Sequence, residues 1–422
     1  MIKRTIGLLL VIMLISLLSG CTFNPSVEDL LVAPSLSEEQ ESVLNALEEG
    51  RSNRISFVYP LTGTNRSAIQ KYDIDGDGTD EIIAFYKDSS EGLNANISVL
   101  EQNSDSSYYV ASTAEGFGDS INSVFYLSSI VAEDAILIEW KSPSKSSNTV
   151  SAYTYIESQL EIGFEENSLN MIVLDTDNTQ SFAFCYIVPA TAESAYSLKY
   201  VQSNESTIFS RSQYNLNEDV IEVISLKTGV FKDGTNALFI DESTATGLQT
   251  EIFSLAEDNS RVSRVEIEGG IDILKLSSRE IDNRLISIDF NDITCFPSSI
   301  PPNTEVLYPD DLVYWYTIDE SIVSFVNATY FSSNWGILFP IPVSWLSFCN
   351  INQISDNTIE IRDTEDELLV SIVQVSVDDD IMNYIKEGYY LVGTDGTTRY
   401  YMVCNTTEED ENLIKQSFTV FS

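Results

Sequence analysis

The chain has 422 residues and carries 22 Lys and Arg against 65 Asp and Glu, a formal net charge of −43. That excludes electrostatic capture of nucleic acid or of an anionic lipid surface, since both need a cationic face to release counterions. Histidine is absent, which removes Ser-His-Asp and Cys-His catalytic arrangements and every His-ligated metal site. With 43% hydrophobic residues, 21 Tyr and 20 Phe, the composition still supplies ample cores. The length suits two or three domains, or one large repeat domain plus a smaller one.

Lys3 and Arg4 precede an apolar run over residues 6–18, interrupted by Ser16. The run is too short for a transmembrane helix and suits a signal-peptide core. It ends in Leu18-Ser19-Gly20-Cys21, where small residues let the chain lie extended before a thiol. This resembles a bacterial lipobox; the alternative is an ordinary secretory signal with an incidental Cys. The resemblance implies a lipoprotein signal peptide over residues 1–20 and a diacylglycerol on Cys21. It also implies a mature protein anchored to the extracytoplasmic face of a bacterial cell membrane. Cleavage removes Lys3 and Arg4 and takes the net charge from −43 to −45.

Residues 21–53 read as a tether and a short helix. Ser37-Glu38-Glu39-Gln40 has the form of a capping box opening a helix that runs through Glu49 and stops at Gly50. Val43, Leu44 and Leu47 give that helix one apolar face, which is expected to pack on the first domain.

From residue 54 the pattern is strand upon strand. Apolar segments at 82–86, 135–140, 181–188, 237–240 and 285–290 begin 53, 46, 56 and 48 residues apart. The last four follow a polar turn and an earlier strand-like run, at 124–127, 170–174, 220–226 and 271–276. Several short strands per unit at a period of about 50 residues predict β-propeller blades, each needing a neighbour on both sides. A pair of β-sandwiches has the same strand content; the period favours a mainly β, propeller-like repeat domain over residues 54–331.

One motif in this region is sharp: Asp73-Ile74-Asp75-Gly76-Asp77-Gly78-Thr79-Asp80-Glu81. Carboxylates at positions 1, 3 and 5 wrap a turn around a hard cation, and position 7 offers a backbone carbonyl. An EF-hand needs Glu at position 12, where Ala84 stands. Closing at Glu81 and running into Ile82-Ile83-Ala84-Phe85-Tyr86, the loop resembles the short calcium loops of FG-GAP/VCBS-type repeats, β-propellers like the integrin α head. The resemblance implies one structural calcium held by the side chains of Asp73, Asp75, Asp77 and Glu81 and by the carbonyl of Thr79. The alternative is an acidic hairpin turn without metal. Asp175-Thr176-Asp177-Asn178-Thr179 is a degenerate copy; Lys232-Asp233-Gly234-Thr235 and Arg279-Glu280-Ile281-Asp282-Asn283 keep the turn without the ligands.

Residues 332–422 read as a small α+β module. Strands are expected at 357–362, 368–377, 389–392 and 399–404, and a helix from Asp378 to Glu387. A last helix is expected after Thr407, and a closing strand at 417–421. The opening Phe339-Pro340-Ile341-Pro342 and Trp345 resemble the start of small extracytoplasmic domains of the PsbP type. Cys185 reads as a buried apolar residue, and the sequence leaves open whether Cys349 and Cys404 pair.

No nucleophile elbow, phosphate loop or dinucleotide fingerprint is present. Tyr314-Trp315-Tyr316 reads as core rather than as a sugar platform. Two functions are expected. The first is a lipid-anchored binding or scaffold protein engaging an unknown protein or glycan at the cell surface. The alternative is a cell-surface glycan hydrolase or lyase using carboxylates at the propeller mouth.

Overall fold

A computed structural model describes residues 37–421 except 50, 52–53, 89–91, 129–132, 175–181, 205–206, 257–260, 268–273, 277–284, 291, 304–307, 310–311 and 320–321. Cys21, the expected signal peptide and the degenerate turns at 175–179 and 279–283 lie outside the described residues.

Helix α1 (Glu38–Glu48) forms with the expected box: Gln40 N–H donates to Ser37 Oγ at 3.2 Å, and Ser37 N–H donates to Gln40 Oε1 at 3.0 Å. The first sheet follows. Strands β1 (Ile55–Phe57) and β2 (Ile69–Tyr72) both pair with β3 (Glu81–Asp88), which continues into β4 (Asn96–Gln102) and β5 (Tyr108–Glu115). β1 pairs with the C-terminal half of β3 and β2 with its N-terminal half, so two short strands share one position.

The next sheets are up-and-down antiparallel meanders. The second holds β6 (Ser120–Leu127), β7 (Ala135–Lys141), β8 (Asn148–Ile156) and β9 (Gln159–Ser168). The third holds β10 (Met171–Leu174), β11 (Ala183–Val188), β12 (Ser197–Asn204) and β13 (Thr207–Asn215). The fourth holds β14 (Val220–Val230), β15 (Asn236–Thr244), β16 (Gly247–Leu255) and β17 (Val262–Arg264), with β18 (Lys275–Leu276) also on β16. The fifth runs β19 (Ile288–Phe290), β20 (Ile293–Ser298), β21 (Leu312–Asp319), β22 (Ile322–Ser332) and β23 (Ile337–Ile341). The sixth contains β24 (Asn350–Ser355), β25 (Thr358–Arg362), β26 (Leu368–Ser376), β27 (Tyr390–Thr394) and β28 (Thr398–Cys404), in the order β24-β25-β26-β28-β27. A last strand, β29 (Thr419–Val420), returns to β23. The fold is mainly β, a propeller-like succession of blades.

The second strand of each of the first four sheets is nearly continuous in apolar residues because both of its faces are covered. Alternation divides each strand between two cores. Ile83 and Phe85 of β3 meet Ile136, Ile138 and Trp140 of β7. The opposite face of β7, with Ala135 and Leu137, meets Phe184 and Tyr186 of β11. Ala183, Cys185 and Ile187 then meet Leu238 and Ile240 of β15. Ala237 and Phe239 face the core shared with the fifth and sixth sheets.

At the two ends a helix or loop takes the place of a neighbouring sheet. Val43 and Leu47 of α1 cover Ile82, Ala84 and Tyr86 on the free face of β3. Ile381, Tyr384 and Tyr389, around helix α2 (Met382–Lys386), cover Val373, Val375 and Tyr401 of the sixth sheet. Among the described residues, no hydrophobic core joins the first sheet to the sixth.

Two expectations are corrected. The expected fifth segment, 285–290, contains β19, the first strand of its sheet rather than the second. The second, β20, carries Thr294, Pro297 and Ser298, which break its apolar run and hide it from a periodicity reading. The expected strand at 271–276 is described at β18, which joins the fourth sheet instead of leading into the fifth.

The boundary expected at 331/332 falls at the end of β22, where a tight turn leads into β23. The two strands pair from Ser332↔Ile337 to Ala328↔Ile341. Trp335, Ile337, Phe339 and Ile341 enter the same core as Ile359, Ile361, Val370 and Ile372, so pairing and core run through the boundary.

In the last segment, α2 begins at Met382, with Asp380 Oδ1 accepting the Met382 N–H at 2.9 Å; Asp378 does not cap it. Helix α3 (Glu408–Ser417) follows Thr407, whose hydroxyl accepts from Asp410 N–H at 3.2 Å. Tyr314, Trp315 and Tyr316 are buried, as expected for core. The four described cysteines are free, so Cys349 and Cys404 are not joined.

Leu47 is 1% exposed. Leu47→Ala should cost about 2–5 kcal/mol, read as a lower midpoint in urea unfolding. An unchanged midpoint would show that α1 does not serve as the cover of the first sheet.

Candidate metal centre

The loop between β2 and β3 is held at both ends. Before it, Tyr72 stacks on Tyr126 of the second sheet, with ring centroids 4.3 Å apart, and its hydroxyl donates to Asp134 at 2.7 Å. Inside it, Ile74 is buried in the core between the first two sheets. Gly76 and Gly78 have φ of 72° and 91°, the left-handed region that a side chain would strain, and this reverses the chain within a few residues.

Four backbone N–H groups fold the loop onto its own carboxylates. Ile74 donates to Glu81 Oε2 at 3.0 Å and Asp77 to Asp75 Oδ1 at 3.1 Å. Gly78 donates to Asp73 Oδ2 at 2.9 Å and Thr79 to Asp77 Oδ1 at 2.7 Å. Ligand oxygens of Asp73, Asp75 and Glu81 lie within 4.8 Å of one another. Asp73 Oδ1 is buried and has no hydrogen-bond partner. Glu81 is buried, and its pKa is pushed up to about 7, first by burial and then by the charges of Asp75, Asp77 and Asp73.

Of the four expected carboxylate ligands, then, the structure brings three together. Asp77 lies outside the group, and its carboxylate caps the Thr79 N–H. The donor set fits a hard cation: three carboxylates on a tight loop, one with a buried and unmatched oxygen, one whose pKa is raised by burial and by its acidic neighbours. At the corresponding hairpin of the fourth sheet, the turn at Lys232–Thr235 is closed by Asp233, which accepts from Thr235 N–H at 2.8 Å.

Sequence reading missed a second class of acids. Near the C-terminal end of β3, β7 and β15 stand the buried Asp88, Glu139 and Asp241. Asp88 pairs with Arg51, whose guanidinium also lies over the Tyr86 ring. Glu139 accepts from the side chains of Asn122, Ser123 and Asn148. Asp241 accepts from Ser225 Oγ (2.7 Å), Thr250 Oγ1 (2.8 Å), and Ser287 N–H (3.0 Å) and Oγ (2.7 Å). These carboxylates tie loops and neighbouring strands to the second strands of the first, second and fourth sheets. The signal was an acid at matching places in Ala-Ile-Leu-Ile-Glu139 and Ala-Leu-Phe-Ile-Asp241.

A cavity of about 570 Å³ opens where β10, β14 and β20 approach, lined by Val173, Leu174, Thr228, Val230, Asn236, Asp289, Asp292 and Thr294 among others. Burial pushes the Asp289 carboxyl up, but the Thr294 hydroxyl and the Lys227 ammonium outweigh it and hold the group below the usual carboxylate range. It is therefore no general acid at neutral pH. No aromatic side chain lines the cavity.

No protein-family model and no curated protein matches the chain. Among solved structures, the chain is similar to a protein from Lactobacillus plantarum, with 6% identity, 79% of this chain and 92% of that one covered, and a TM-score of 0.26. It is similar to an exo-beta-1,3-galactanase from Phanerochaete chrysosporium, with 9% identity, 77% and 82% covered, and a TM-score of 0.24. A third similarity is to the β-propeller domain of the Trilobed protease from Pyrococcus furiosus, with 10% identity, 76% and 94% covered, and a TM-score of 0.19. Likenesses this slight carry no functional argument.

Proposed function

We propose that this chain is a lipid-anchored, extracytoplasmic binding or scaffold protein whose first blade is stiffened by calcium. The observation that carries the calcium reading is the convergence of Asp73, Asp75 and Glu81 around an Asp73 oxygen that is buried without a partner. A divalent cation there would offset the mutual repulsion of the three carboxylates and match the orphan oxygen. Carbonyls and water complete a six- to eight-oxygen shell, a coordination that suits calcium better than magnesium. Because Tyr72 and Ile74 reach the second sheet, a loop stiffened by the ion also steadies that joint.

Membrane attachment rests on Leu18-Ser19-Gly20-Cys21, and the surface partner is a protein or a glycan. The FG-GAP/VCBS likeness rests on the loop at 73–81. The alternative, a glycan hydrolase or lyase, needs two carboxylates of contrasting pKa beside aromatic rings. The cavity at Asp289 and Asp292 has no aromatic ring in its lining.

In calcium at a hundred times a Kd of about 10⁻⁴ M, the native state should gain about 2.7 kcal/mol, read as a higher melting temperature than in chelator. Asp73→Asn with Glu81→Gln should abolish that gain. Asp77→Asn should keep most of it, because this carboxylate lies outside the converging group. Identical melting of the wild type in calcium and in chelator would overturn the metal reading.

Cys21→Ser should release the protein from the membrane or leave it as an unprocessed precursor, read by fractionation and intact mass. A processed Cys21→Ser protein still held at the membrane would contradict the lipid anchor.

A further inference from the structure

The fourth sheet buries two carboxyls that no other role in the fold absorbs. In the β15–β16 register Glu242 faces Gln249 and Ile240 faces Glu251, so alternation places Glu242 and Glu251 on one face. It is the face whose Leu238 and Ile240 pack against the third sheet. Glu242 is 0% exposed and Glu251 5%.

The partners of these two groups leave a deficit. Glu242 Oε2 accepts from Gln249 Nε2 at 2.7 Å, and Glu242 Oε1 has no hydrogen bond. Glu251 Oε1 accepts from Asn217 N–H at 2.6 Å. Arg264 stands 2.8 Å from Glu251 Oε2, but its aligned N–H bond goes to the Asn215 carbonyl, which leaves Oε2 without a formed hydrogen bond. One cation thus faces two buried carboxyls set diagonally across neighbouring strands on the same face of the sheet. The other charges acting on them, Asp241 and Asp219, are acidic. The third sheet brings a thiol, Cys185, and the phenols Tyr200 and Tyr214 to this core.

We propose that Glu242 and Glu251 share one proton in the folded protein at neutral pH, and that its loss in alkali loosens the joint between the third and fourth sheets. A proton on Glu242 turns the orphan oxygen into a donor toward Glu251 and leaves one buried negative charge for Arg264. Burial first, and then the Glu251 charge, hold the Glu242 carboxyl well above the usual carboxylate range; burial raises Glu251 as well. A carboxyl whose pKa is raised on folding binds more protons folded than unfolded. Its contribution is therefore fully present below the ordinary carboxylate pKa, declines as pH rises above it, and is gone once pH passes the raised folded value in alkali.

The test compares full-length wild type with Glu242→Gln in excess calcium. At pH 4 the two should melt together; by pH 8.5 the variant should melt about 2–4 °C higher. In a Glu251→Gln background the gain should shrink, because the charge that penalises Glu242 is gone. The wild-type infrared spectrum at pH 7 should contain a protonated carboxylic acid band that Glu242→Gln lacks, a readout independent of unfolding. A melting difference equal at both pH values, or no difference in that band, would overturn the proposal.

Discussion

A four-stranded antiparallel sheet whose second strand is apolar on both faces cannot stand alone, and most of this architecture follows from that constraint. β7 and β11 expose neither alternating set of side chains, so each sheet is the wall of two cores. Burial at roughly 25 cal/mol per Å² makes an uncovered blade face a large cost, and the chain removes that cost by adding blades. At the ends, where among the described residues no further blade packs, α1 and the segment around α2 supply substitute surfaces.

Acidic residues complicate this plan and also serve it. A chain with 65 carboxylates places some of them within or beside its cores, and it satisfies them in three ways. Asp241 and Glu139 are met by several hydrogen-bond donors brought in from loops and adjacent strands. Asp88 is met by a cation that also holds the region after α1. The loop at 73–81 is left with one unmatched oxygen, on Asp73, and the Glu242–Glu251 pair with two. The proposed calcium ion would supply the missing positive charge at the loop, and the proposed shared proton would supply it at the buried joint between sheets.

The sequence made the first blade legible because its signals are local. Ser37 and Gln40 stand three apart, as a capping box requires, and the acidic loop runs directly into an apolar strand. Spacing treated Asp73, Asp75 and Asp77 alike. In the structure, Asp73 and Asp75 converge with Glu81, while Asp77 lies outside that group and caps Thr79. The period located the second strands of four sheets and slipped at the fifth, where Thr294, Pro297 and Ser298 interrupt β20. The buried acids were opaque because their partners are distant in sequence: Ser287 meets Asp241 from 46 residues away. Pairings of that kind belong to tertiary structure, and no short-range pattern encodes them.

The dependence of each blade on its neighbours is tested most directly by native-state hydrogen exchange along the chain. β3, β7, β11 and β15 should hold their amides longest, at free energies near that of global unfolding, while the outer strands β5, β9 and β13 exchange through smaller openings. Uniformly fast exchange across β7 and β11, with protection concentrated in the outer strands, would contradict an architecture built on second strands buried on both faces.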